Sequence, residues 1–296
     1  MFRTLNLFVI ILLLLAGNCF AQKTVYFQTL PVPAGVQPSN DPSIPKIEWN
    51  RWTTKNFSIH SIDYDQGEFL FHNIEKMKSW CLTRWGLPDI QFSSECRIFC
   101  APTKELMKKL FNLDNSYGEV KIQDGKIVIS YLWLVLDSKP AEVIPPALTV
   151  ICLKEFNQQY RLNIGWWTYR GVPILNETLP QIRNNLVRVN TENFSASSFF
   201  SMTESKFRTL NAEQRRGFDA EAAMMCLFIR KEFGQTKFQY FLKYDNFEDN
   251  VKKHLGFQNI AEFEKTFARY AANLSRDIKE NKCPDAYLQI EAIKKK

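Results

Sequence analysis

The last strand signal in this chain is the pair Asp124-Gly125, and from Pro140 onward the apolar residues keep helical spacing. Asp-Gly between two short alternating runs is a strong two-residue hairpin turn, so strands are expected over 119–123 and 126–130. Upstream, residues 57–63 and Cys96–Ala101 alternate as strands. Between them, Asp65 with Glu68 reads as a capping box. It opens a helix whose apolar face is Phe69, Ile74, Met77, Trp80 and Cys81 and which Gly86 ends. Pro102-Thr103 starts a second helix through Leu106, Leu110 and Phe111. Strands interleaved with helices, then helices alone, make the expected class α+β, a mixed N-terminal sheet followed by a mostly helical half.

In the second half, Leu148, Ile151, Cys152 and Phe156 share one helix face, and Trp166 and Trp167 lie in the next apolar piece. Residues 211–233 form a long apolar helix stopped by Gly234, and shorter helices follow to Leu255-Gly256. Asn259 with Glu262 is a further capping box, opening a last helix through Phe263, Phe267 and Tyr270. Pro145 and Pro146 remove two backbone donors, so a helix running in from Ala141 should break there and restart with Pro146 in its first turn.

At the N-terminus, Arg3 precedes an unbroken apolar run over 7–16. A membrane-spanning helix needs about 20 such residues, so the run reads as a signal-peptide core with cleavage after Ala21. The expected product is exported, to a periplasm or out of the cell, with no membrane span after cleavage. Residues 22–46 hold Pro31, Pro33, Pro38, Pro42 and Pro45, which predicts an extended lead-in rather than a packed element. The expected organisation is an α/β half over 47–176, a helical half over 177–280 and a basic tail over 281–296.

With 45% hydrophobic and 14% aromatic residues the chain can bury a real core, which excludes disorder for its bulk. Its net charge is +7, but Lys and Arg are interleaved with Asp and Glu everywhere except at 294–296. A nucleic-acid surface needs its basic residues gathered, so none is expected. Cys81, Cys96, Cys100, Cys152, Cys226 and Cys283 lie beyond the cleavage point. Cys96 and Cys100 share a strand and stand about 13 Å apart, too far to bridge. Buried free thiols are expected for most, with a bridge from Cys81 to Cys96 or Cys100 as the alternative.

One constellation carries functional information. The strand at 127–131 precedes a helix with Pro146-Ala-Leu-Thr-Val150, and Trp167-Thr-Tyr-Arg-Gly171 follows. Then come the long helix ending in Phe233-Gly234 and the closing piece from Leu255-Gly-Phe257 to Phe267. From Trp49 to Leu274 this order and spacing resemble the gluzincin, or peptidase MA-like, metallopeptidases. The resemblance places Pro146-Ala-Leu-Thr-Val150 where that family has His-Glu-x-x-His, and Trp167 to Gly171 where it has Trp-x-x-Glu-Gly. It also makes 127–131 the substrate-binding strand.

The chemistry of those positions is absent. His at i and i+4 bind zinc through ring nitrogens, and the Glu beside the first activates the bound water. Here the positions hold Pro146, Ala147 and Val150, with Arg170 in place of the third ligand. Pro and Val offer a metal no side-chain lone pair, Ala takes no proton, and Arg is a fixed cation. His60, His72 and His254 lack ligand-pair spacing, there is no Gly-x-Ser-x-Gly, and no Gly-rich phosphate loop. No metal and no cofactor are expected.

The expectation is therefore a pseudopeptidase that binds a peptide or protein partner in a groove flanked by Ile129, Tyr131, Trp166, Tyr169 and Arg170. Two alternatives stand beside it: a structural or assembly protein of the cell envelope with a collapsed site, and an enzyme acting at some other place.

Overall fold

The computed structural model describes residues 25–27, 29–34, 36–37, 47–136, 140–190, 192, 194–242 and 246–290. The expected signal peptide and the terminal lysines 294–296 lie outside them. The strands are β1 (Asn50–Thr53), β2 (Phe57–Ser61), β3 (Cys96–Ala101), β4 (Tyr117–Gln123) and β5 (Lys126–Val135). The first helices are α1 (Tyr64–Thr83), α2 (Lys104–Phe111), α3 (Pro140–Tyr160), α4 (Trp166–Ile174), α5 (Leu179–Leu186) and α6 (Ala196–Phe200). They continue with α7 (Glu204–Thr209), α8 (Ala212–Glu232), α9 (Gly234–Leu242), α10 (Phe247–Asn250), α11 (Ile260–Lys279) and α12 (Asp285–Leu288). The fold is mixed α+β: one five-stranded sheet, then helices alone.

The sheet order is β1-β2-β3-β5-β4. Strands β2, β3 and β5 are parallel, and β1 and β4 run antiparallel along the two edges. Asp124-Gly125 makes the β4–β5 turn, with positive φ at both residues, as a two-residue hairpin of this type requires. A bulge between Lys121 and Ile122 pairs Ile122 with Ile127 and leaves Val128 as the extra residue on β5. The bulge reverses the inward and outward alternation: Ile127 joins the core under α3, while Ile129 joins the cluster on the opposite face.

Each face of the sheet has its own core. Leu132 and Leu134 of β5 point toward α1 and α3 and merge with the helical half. At the centre of that half is α8, buried almost continuously from Ala220 to Ile229. The other face carries Trp49, Phe99, Tyr131 and Trp133 under α2. Here the lead-in departs from expectation, being extended but packed. Val25 bridges Trp49, Phe27 and Leu30 pack into the cluster, and Trp133 donates its indole N–H to the Pro31 carbonyl at 3.1 Å. Proline forbids regular pairing in this segment, yet the apolar residues between the prolines still gain by covering an aromatic face.

Helix starts differ in detail. Asp63, not Asp65, caps α1, its carboxylate accepting the Gln66 N–H at 2.9 Å. Both aspartates are able to cap, and the end of β2 selects the first. The buried stripe is consequently Leu70, Ile74, Cys81 and Leu82, whereas Phe69 and Trp80 face solvent. Nor does α3 break at its prolines. It runs unbroken through Pro145-Pro146, both in its second turn, and the Pro145 carbonyl takes the Thr149 hydroxyl at 2.6 Å.

Candidate functional site

The face of α3 in question is set by helical period. Pro146 and Val150, four apart, are half-buried on one face, while Ala147, Leu148 and Ile151 turn inward. On one flank α3 meets β4 at Gly118, where an added Cβ would lie 2.3 Å from the Ala147 carbonyl oxygen. On another flank it meets α4. Asn176, just past α4, donates to Thr149 Oγ1 at 2.6 Å and accepts from the Trp85 indole at 3.1 Å. Burial pushes the Tyr169 phenol up, and the Asn157 side chain of α3 opposes that shift. The two buried bonds of Asn176 tie the end of α4 to α3 and to the turn after α1, and leaving any of these polar groups unpaired would cost about 1–3 kcal/mol.

Arg170 projects from α4 and does not wait for a ligand. Its Nε and Nη2 donate to the two carboxylate oxygens of Asp219 on α8, each at 2.7 Å. Its guanidinium lies 4.6 Å from the ring centroid of Phe207 on α7. This bidentate fork is the arrangement arginine makes best. Trp166 packs 6.0 Å from both Tyr169 and Phe207. Tyr117 at the start of β4 is half-exposed, stacks on Trp133, and lies within the fields of Arg170, Arg208, Glu119 and Glu204. Burial and Glu119 raise its phenol, and Arg208 and Arg170 oppose them.

The sequence-expected residues therefore divide into two groups. Trp166, Tyr169 and Arg170 all lie on α4, the helix that packs against α3, and Trp167 is buried in the core. Ile129 and Tyr131 do not join them. They belong to the cluster on the far face of the sheet, and β5 is an interior strand hydrogen-bonded to β3 and β4. A strand already paired on both sides has no donors or acceptors left for a ligand. The edge beside α3 is β4, whose backbone pairs only with β5 among the described residues. Three further residues of this region were not singled out from sequence. Thr149 lay inside the motif; Asp219 and Asn176 reach it only through tertiary folding.

No group of three His, Cys, Asp or Glu gathers as a metal-ligand set among the described residues. His60 is buried on β2, stacked on Phe99 at 5.1 Å, with its side chain well away from α4 in the second cluster's ring stack. His254 stacks on Tyr240 at 4.7 Å. The six cysteines are free and buried, so the alternative of a bridge from Cys81 is not realised. Burial pushes the Cys81 thiol up to about 12, leaving it unreactive. No helix among the described residues is long and apolar enough to cross a membrane. Comparison with known proteins finds no matching family model and no matching curated protein.

Proposed function

We propose that this chain is an exported, peptidase-like protein without metal chemistry that holds an extended peptide or protein segment along β4, above the Pro146–Val150 face. The observation that carries the reading is the edge of β4, whose backbone pairs only with β5 among the described residues and which packs on the helix where a gluzincin would carry its ligands. An edge strand with free backbone groups recruits an added strand through main-chain hydrogen bonds, and neighbouring side chains set preference. Trp166 and Arg170 supply those neighbours. Pro146 and Val150 give the segment an apolar floor in place of a zinc ion.

A second reading has its own support. The fork between Arg170 and Asp219 satisfies the guanidinium internally, as expected of a closed site in a structural or assembly protein. The two readings differ in one measurement. A displayed library of random peptides is selected on the purified protein, and enriched peptides are titrated by fluorescence anisotropy. The binding reading expects saturable binding that Val150→Arg weakens at least about tenfold without changing the circular dichroism. A library yielding no saturable peptide favours the structural role. One bound zinc per chain with chelator-sensitive cleavage would overturn both.

A further inference from the structure

Away from β4, the described residues form a concavity of about 410 Å³. It opens between the C-terminal end of α3, the turn after α1 and helix α9. Its base is apolar: Leu87, Phe156 and Leu242 are all nearly fully buried. Tyr160 and Tyr240 also line it, and both are large exposed aromatics, at 47% and 43%. Neither ring is loose. Tyr160 packs on Phe156 with centroids 4.7 Å apart, and Tyr240 stacks nearly parallel on His254 at 4.7 Å.

Size, shape and charge together narrow the occupant. Binding sites for small molecules typically measure about 300–1,000 Å³, with apolar walls and a few polar groups. None of the nine described lining residues is Asp, Glu, Lys, Arg or His, although 23% of the chain is Asp, Glu, Lys or Arg. Among the described residues, an ion entering would lose its hydration without gaining a charged partner. The polar groups present are the tyrosine hydroxyls, Thr236 and Gln239, and the Gln239 amide already donates to the Gly86 carbonyl. Flat rings held on two sides favour a flat ligand, since offset stacking and edge contact add to area burial.

We infer that this concavity is a binding site for a neutral, planar, largely apolar small molecule, gripped between Tyr160 and Tyr240 over Leu87, Phe156 and Leu242. The site is separate from the β4 edge. Phe156 follows Pro146 by ten residues of α3, about 15 Å along the helix. The inference therefore stands or falls apart from the peptide reading.

The test uses N-phenyl-1-naphthylamine, a neutral, largely apolar probe built of two flat aromatic groups whose emission rises in apolar surroundings, titrated into the full chain. The expected result is saturable binding at one site per chain. Replacing both Tyr160→Ala and Tyr240→Ala should weaken it at least about tenfold. Thr236→Glu, which places a charge at an exposed position of the lining, should do the same, while Val150→Arg leaves affinity unchanged. If the tyrosine pair fails to fold, Thr236→Glu alone decides. Absence of saturable binding, equal affinity in the altered chains, or loss of binding in Val150→Arg would overturn the inference.

Discussion

Arg170 was legible in the sequence as a cation beside two tryptophans, but its partner was not. Asp219 is 49 residues away on another helix, and no local pattern links the two. The same limit applies to ionisable groups whose behaviour comes from burial. His60, under Phe27 and against Phe99, is held down at about 4, mainly by burial and then by Arg51 and Arg97. The unfolded chain binds that proton near the ordinary value of about 6.5, so stability is retained above that pH and falls as pH drops toward 4. Glu177 has the opposite sign. Burial raises it to about 7, despite the Asn185 amide donating to it at 3.0 Å. Burial raises Glu221 similarly. The folded state then binds the extra proton, so stability is lost as pH rises from about 4.5 to 7. Glu177→Gln should leave stability at pH 4.5 nearly unchanged and raise it at pH 8 by at most about 3 kcal/mol. Urea unfolding across pH 4.5–8 measures this, and a difference that does not grow with pH would contradict the assignment.

At the scale of elements, local chemistry was readable and pairing partners were not. The hairpin followed from Asp124-Gly125, the last long helix from Asn259 with Glu262, and the end of the sheet from the change of period at Pro140. Which hairpin strand is the edge depends on β3 pairing with β5 across a gap in sequence, so the sequence alone points to the strand at 127–131, whereas the edge is β4. The packed lead-in was missed for a similar reason: Phe27 is ordinary until Trp49, His60 and Phe99 are assembled beneath it. Close approach between helices was equally hidden. Gly171 of α4 meets α8 so tightly that a Cβ would lie 2.3 Å from the Ala222 carbonyl oxygen and 2.8 Å from Cys226 Sγ. Backbone cannot yield as a flexible side chain does, so Gly171→Ala should cost about 1–3 kcal/mol by forcing the helices apart. The shift in urea midpoint reads this directly. Gly217 has nothing within 4 Å of its would-be Cβ, so Gly217→Ala, inside α8, should stabilise by up to about 1 kcal/mol and serves as the contrast.

For the whole molecule, the question is whether α3 and α4 would present a metal site if ligand side chains stood at the positions that the proposed correspondence names. Pro146 and Val150 share one half-buried face a turn apart, the spacing at which two imidazoles converge on one ion. Arg170 projects from the helix that the Asn176–Thr149 bond holds against α3. If the proposed correspondence of positions is right, Pro146→His, Val150→His and Arg170→Glu together supply two nitrogens and a carboxylate with an open fourth position. Ala147 is left alone, because it is buried and a larger side chain there would have to displace its packed neighbours. The triple variant should retain one zinc per chain after exhaustive dialysis, counted by mass spectrometry, and zinc should raise its melting temperature, since a ligand bound only by the folded state stabilises it. Val150→His alone should retain none. A folded triple variant that binds no zinc would show that α3 and α4 do not present these positions to a common point, and the peptidase-like reading of the molecule would fail with it.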